Sequence, residues 1–208
     1  MSNRVARSII TLSVISALAL TVQGCFEIAV GTAVVGSLSV TDRRTVGAQT
    51  EDKGIYLKGE KRIFALVGDN GHVNVTSFNR KVLLTGEVKD ASMKAAVERE
   101  AAAIEGVQSV FNELEVTFIS SFTSRSNDSF ITGKIKAALV NSKEVYANSF
   151  KVVTEQGTVY LLGLVTQREG QIAAEIARNT SGVKKVVKLF EYITEEDLKK
   201  FADTMPKK

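Results

Sequence analysis

Phe130 and Lys134 stand four residues apart in the stretch SFITGKIKAALV. On a helix that spacing sets an aromatic ring beside an ammonium group, with Ala137 completing the line and Gly133 next to it. The helix carries its main apolar stripe elsewhere, on Ile131, Ile135, Ala138 and Leu139, and that stripe should face a sheet. Phe130 lies well over a quarter-turn from the stripe. An aromatic flanked by Lys stems, here Lys134 with Lys136 and Lys143 nearby, suits an anionic lipid surface. It also suits packing against a neighbouring domain or linker. The residues alone leave both readings open. Asp128, after the polar stretch Ser120 to Asn127, reads as the N-cap of this helix.

Other reactive side chains are few. One Cys excludes an intramolecular disulfide and a Cys-cluster metal site. The single His, His72, follows Asp69-Asn70-Gly71 and reads as a turn residue, with no second His or Cys to chelate beside it. No Ser or Cys nucleophile with a convincing base can be named. Gly31 to Gly36 lacks the Lys-Ser/Thr of a phosphate loop. Glu195 and Glu196 read as dipole partners of a last helix opened by Thr194, with Leu198 and Phe201 on one face. Lys184, Lys185 and Lys188 read as the solvated face of a strand. No catalytic residue, metal site or cofactor is expected.

The N-terminus sets the compartment. Arg4 and Arg7 precede an apolar run, Ile9 to Leu20, that is too short to span a bilayer comfortably and reads as a signal peptide. Val22, Gln23, Gly24 and Cys25 follow, and they resemble a bacterial lipobox. The resemblance implies that Cys25 becomes the first mature residue, diacylated on sulfur and acylated on its amine with a chain such as palmitate. A lone thiol is otherwise a liability in an oxidising compartment. Phe26, rather than Asp, follows Cys25, which by the same resemblance points to the outer membrane, periplasmic face. Two or more acyl chains anchor stably. Nucleic acid is not an expected partner there, and an anionic lipid surface is.

Charge is uneven along the chain. The net of +4 divides into +1 over residues 1–41, −1 over 42–118 and +4 over 119–208. Loss of Arg4 and Arg7 with the signal peptide leaves +2 overall, with the excess still in the last third. At 44% hydrophobic residues the chain can bury a core, so global disorder is excluded.

The part after the signal peptide repeats. Val75 to Val88, VTSFNRKVLLTGEV, aligns without a gap on Val152 to Val165, VVTEQGTVYLLGLV. Gly106-Val107 matches Gly182-Val183 after a slip of one residue. A period of about 75 residues is too long for a solenoid unit and is the size of a small domain. Lys81 to Val88 and Thr158 to Val165 read as strands after hairpin turns at Asn79-Arg80 and Gln156-Gly157. Residues 52–67, 90–105, 128–141 and 167–181 read as helices, for instance with Met93, Val97 and Ile104, or Ile172, Ile176 and Thr180, at helical spacing. Val107 to Phe118 and Val183 to Ile193 return as strands after the helix stops Gly106 and Gly182. The fold class is α+β: two tandem units, each α-β-β-α-β, with a three-stranded mixed sheet packed on two helices, plus a short C-terminal helix.

This order, with LLTGEV and LLGLV strands and a Gly-Val step after the second helix, resembles the BON domain. TDRRTVGAQ, NDSFITGKI, GLVTQREG and TSGVKKV extend the resemblance to the DolP-type dual-BON outer-membrane lipoproteins. It implies a signal peptide over 1–24, a lipidated tether over 25–45, BON domains over 46–118 and 128–193, a linker over 119–127 and a C-terminal helix and tail over 194–208. It implies no catalysis, binding of anionic phospholipid, support of envelope integrity and a place at the division site. It puts phospholipid contact on Ser129, Phe130, Thr132, Gly133, Lys134, Lys136 and Ala137. The first domain has Gly54 where the second has Phe130, so only the second is expected to bind. Outer-membrane assembly or division-site proteins are expected partners, and small-molecule substrates are not. The alternative is a periplasmic protein-interaction or chaperone-like factor that holds envelope proteins.

Overall fold

The structure is a computed structural model that describes residues 42–204. The signal peptide, the lipobox, Cys25 and the last four residues lie outside the described residues.

Helix α1 (Val46–Val67), strands β1 (Gly71–Phe78) and β2 (Lys81–Val88), helix α2 (Ala91–Ala102) and strand β3 (Ser109–Asn112) form the first unit. A short strand β4 (Glu115–Val116) extends it. Helix α3 (Phe122–Asn141), strands β5 (Phe150–Glu155) and β6 (Thr158–Val165), helix α4 (Gln167–Arg178) and strand β7 (Lys185–Tyr192) form the second. Helix α5 (Glu195–Thr204) follows, with Thr194 accepting from the Asp197 amide at its start. Both sheets are mixed. β1 and β5 run antiparallel to β2 and β6, and β3, β4 and β7 run parallel to them. The α-β-β-α-β order is therefore as expected, with β4 added.

The hairpin turns explain a pair of buried acids. Asn79 (φ 50°), Arg80 (φ 64°), Gln156 (φ 48°) and Gly157 (φ 79°) are all left-handed, the backbone of a type I′ turn. Three of these are not glycine, so something must hold them. In the first unit Asp52, buried on α1, accepts from the Asn79 and Arg80 amides at 2.6 and 2.8 Å and from Ser77 Oγ at 2.6 Å. In the second, Asp128 accepts from the Gln156 and Gly157 amides at 2.9 and 2.8 Å. Asp128 is therefore not the N-cap. Ser121 caps α3 by accepting from the Ser124 amide, and α3 begins at Phe122. Residues 122–127, expected as linker, form its first turns. Likewise α1 starts at Val46 rather than 52, capped by Thr45. A carboxylate with two outside donors looks like a cap in the sequence, but here it ties a helix interior to a hairpin.

Each unit buries its own helix-facing core. Ile55, Ile63, Val82, Leu84, Val97 and Ile104 belong to the first, and Ile131, Ile135, Leu139, Val159 and Leu161 to the second. On α4 the buried face differs from expectation. Ala173, Ala174 and Ala177 face the core, while Ile172 and Ile176 are half-buried at its edge. Phe150 and Phe190 meet edge-on with ring centroids 5.9 Å apart and fill that space. A Cβ at Gly170 would come within 3.0 Å of the Phe190 ring, so only small residues fit the adjoining face of α4.

The opposite faces of the two sheets pack on each other. Phe78 and Leu83 join Tyr160 and Leu162 in one buried cluster, with Phe111, Val153, Val187 and Leu189 around it. The layers run helices, sheet, sheet, helices. This explains why β2 is buried from Val82 to Val88 on both faces. Polar pairs rim the layer: Asn74 Nδ2 to Glu155 at 2.9 Å, Gln156 Nε2 to Glu87 at 2.7 Å, and Asn79 Nδ2 to Glu191 at 2.9 Å.

The segment before α1 straps both units. Arg43 forms a two-pronged pair with Glu169 of α4, 2.7 Å on each arm, and also donates to the Leu164 carbonyl. Neither side chain is more than 1% exposed. Arg44 turns the other way, to Asp52 at 2.6 Å, with its guanidinium 4.1 Å from the centre of the Phe78 ring.

Candidate lipid-facing site

Helix α3 presents two faces. Ile131, Ile135 and Leu139 sit against the sheet at 1% exposure or less. The outward ridge carries Phe130, 65% exposed, with Gly133 and Ala137 open to solvent behind it. The ring is not covered by the first unit. Nothing stands within 4 Å of a Cβ built at Gly133, so the surface beside the ring is open.

The expected residues are not all on this ridge. Lys134 lies on its flank, with Nζ 4.8 Å from the Phe130 ring centre, and donates to the Ser181 carbonyl at 2.8 Å. An ammonium has three donors, so this bond leaves capacity for a phosphate. Lys136 and Ala137 are exposed. Ser129 is exposed and donates to the Arg125 carbonyl of its own helix. Thr132 turns inward, its hydroxyl 2.7 Å from Thr154 Oγ1 on β5. Ser129 and Thr132 line a cleft of about 380 Å³ shared with Tyr56, Glu60 and Asn74 of the first unit. They border the ridge rather than belong to it.

Sequence reasoning missed residues that extend the patch. Val140 is 69% exposed and Phe122 is 78% exposed, and helical spacing puts both on the ridge side of α3. From Phe122 to Val140 the ridge runs roughly 27 Å. Phe118 and Ile119, just before α3, are also exposed. The signal was Val140 at i+10 and Phe122 at i−8 from Phe130. It was hidden because residues 119–127 read as linker, so Phe122 had no helical phase.

The first unit is less bare than Gly54 alone implies. Leu57 and Phe64, seven residues apart on α1, are 59% and 77% exposed. His72 lies on β1 and is not a turn residue. Its Nδ1 is 3.3 Å from Glu87 Oε2. Among the described residues, His72, Glu87 and Glu155 offer ligand atoms within 4.8 Å of one another. No helix among them is long and apolar enough to cross a membrane.

Comparison with known proteins accounts for this architecture. Residues 60–117 and 127–194 each match the BON domain. Outer membrane lipoprotein DolP of Haemophilus influenzae is 39% identical over 173 residues, 82% of this chain and 90% of that protein. The 21 kDa hemolysin of Actinobacillus pleuropneumoniae is 35% identical over 73% of this chain and 79% of its own length. Osmotically-inducible protein Y of Escherichia coli is 30% identical over 68% of this chain and 72% of its own. The chain belongs to the BON-domain family, as a two-domain outer-membrane lipoprotein of the DolP type.

Proposed function

We propose that the protein is a non-catalytic lipoprotein that reads anionic phospholipid with the outward ridge of α3 and thereby supports outer-membrane integrity at the division site. The observation that carries this reading is Phe130, 65% exposed on a ridge flanked by Lys134 and Lys136. Phe122 and Val140 extend the exposed apolar surface around the ring, and a contiguous exposed apolar patch marks an interaction surface. With α3 lying in the interface plane, Phe130 enters the acyl boundary and the lysines meet phosphates.

The magnitudes fit a reading site on an already anchored protein. Burying Phe130 contributes roughly 1.5–3 kcal/mol. Each Lys at an anionic surface adds about 1 kcal/mol. The sum gives a free domain roughly millimolar affinity or somewhat better. Acyl chains on Cys25 would hold the site beside the bilayer at high effective concentration. The ridge then selects lipid type and orientation.

The test is flotation of residues 26–208, which lack the lipid-bearing Cys, with vesicles of phosphatidylcholine alone or mixed with phosphatidylglycerol. The wild type should float with the anionic vesicles and lose binding as salt rises. Phe130→Glu should weaken binding tenfold or more. Equal flotation with neutral vesicles, or no loss in Phe130→Glu, rules the reading out. Capture of an envelope protein that Phe130→Glu abolishes, without any vesicle binding, would favour a protein-interaction role instead.

A further inference from the structure

We propose that His72, Glu87 and Glu155 form a divalent-cation site that staples the two BON domains together. The three residues come from β1, β2 and β5, so the site exists only when the sheets are packed. β1–β2 register places His72 opposite Glu87, and both project into the layer between the sheets. Glu155 ends β5 and enters the same layer from the second domain.

Charge is the first argument. Glu87 is fully buried and Glu155 is 8% exposed. Glu87 accepts from Gln156 and Ser120 and lies 3.3 Å from His72 Nδ1, and Glu155 accepts from Asn74. Gln156, Ser120 and Asn74 are neutral donors. Among the described residues no Lys or Arg forms an ion pair with either acid. Two buried carboxylates without a Lys or Arg partner leave charge for a bound cation to balance.

An orphaned hydroxyl is the second, independent observation. Thr85 Oγ1 has no hydrogen-bond partner although the residue is 1% exposed. Thr85 lies opposite Asn74 in the register and two residues before Glu87 on the same face of β2. It therefore points into the layer beside the cluster, where a metal-bound water would satisfy it.

Geometry selects the class of ion. One imidazole nitrogen and two carboxylate oxygens make a borderline donor set suited to zinc-like ions rather than to all-oxygen calcium or magnesium sites. Zinc ligands about 2.0–2.1 Å from a tetrahedral centre stand roughly 3.3 Å from one another. His72 Nδ1 and Glu87 Oε2 are 3.3 Å apart, and all three ligand atoms lie within 4.8 Å. A swing of the Glu155 carboxylate closes the remaining gap, and a water takes the fourth position. His72 is 22% exposed at its side chain, which leaves a way in.

The experiment uses the full-length lipoprotein, purified in detergent without a histidine tag. The protein is stripped with chelator, incubated with zinc, dialysed and assayed for bound metal. The wild type should retain about one zinc per chain, and His72→Ala and Glu155→Gln less than a tenth of that. Zinc should also raise the wild-type melting temperature by several degrees and leave both variants unmoved. Equal melting temperatures of the three chelator-stripped proteins would exclude loss of fold as the cause. Absence of zinc from the wild type, or its retention in both variants, overturns the proposal.

Discussion

Replacing Arg43 with Met should destabilise the protein by about 3–5 kcal/mol, the usual effect of removing one partner from a buried ion pair. That corresponds to a melting temperature roughly 10 °C lower for a chain of this size. The reason is what remains. Glu169 would keep its Thr166 backbone donor but lose both guanidinium arms in a site where its side chain is 1% exposed. In the native protein burial pushes the Glu169 carboxyl up. Its hydrogen bonds to Arg43 and the Thr166 amide, with the Arg43 charge, outweigh that and hold it below the usual range. A depressed carboxyl contributes stability that is present above its unfolded pKa and lost as pH falls through its folded pKa. In Arg43→Met the same carboxyl is desolvated without its partner, so its penalty is relieved by protonation. The gap between wild type and variant should therefore be widest near pH 7 and narrow towards pH 3. Arg43→Met with Glu169→Gln should recover most of the loss, because the amide keeps the cap and carries no charge. Thermal melts of the wild type, Arg43→Met, Glu169→Gln and the double variant at both pH values form a cycle, and a gap that does not change with pH would show that Arg43 acts through packing alone.

This strap was written in the sequence as TDRRTVGAQ but could not be understood from it. Arg43 meets Glu169 across 126 residues, and no periodicity reports a contact of that range. The elements themselves were legible because their signals are local. Lys81 to Val88 and Thr158 to Val165 were bounded correctly by their apolar runs, and the parallel third strand followed from a crossover helix. Capping was ambiguous, since Ser121 and Asp128 are both good N-cap residues and only the hairpin beyond distinguishes them. The α4 face was misread because the bulky Phe150 and Phe190, distant in the chain, decide which helix residues can fit. The sheet-on-sheet layer did leave a trace in the second unit. YLLGLV is an unbroken apolar run, which a sheet open on one face does not need, whereas LLTGEV carries Thr85 and Glu87 on the face that meets the other sheet. His72 has no second His or Cys beside it, and the fold brings it two carboxylates from another strand and another domain.

The paired acids give the other large effect, and they make the two domains unequal. Asp52→Ala should cost about 3–5 kcal/mol, whereas Asp128→Ala should cost about 1–3 kcal/mol. Both remove the acceptor for two hairpin amides. Asp52 in addition accepts from Ser77 Oγ and from Arg44, whose guanidinium is 13% exposed and faces the Phe78 ring. Removing Asp52 leaves Arg44 with Asp42 alone and frees a turn whose two central residues, Asn79 and Arg80, both hold positive φ without being glycine. The second turn has Gly157 at one of those positions and tolerates the loss better. Urea unfolding of both variants measures the difference. Asp52→Asn should fall between wild type and Asp52→Ala, because an amide retains one acceptor but turns two donors towards groups that are themselves donors. If Asp128→Ala costs as much as Asp52→Ala, the hairpin amides carry the whole effect and the Arg44 arm adds nothing. If the asymmetry holds, the Ser77 and Arg44 bonds and a turn without glycine together make the first domain depend more on its buried acid.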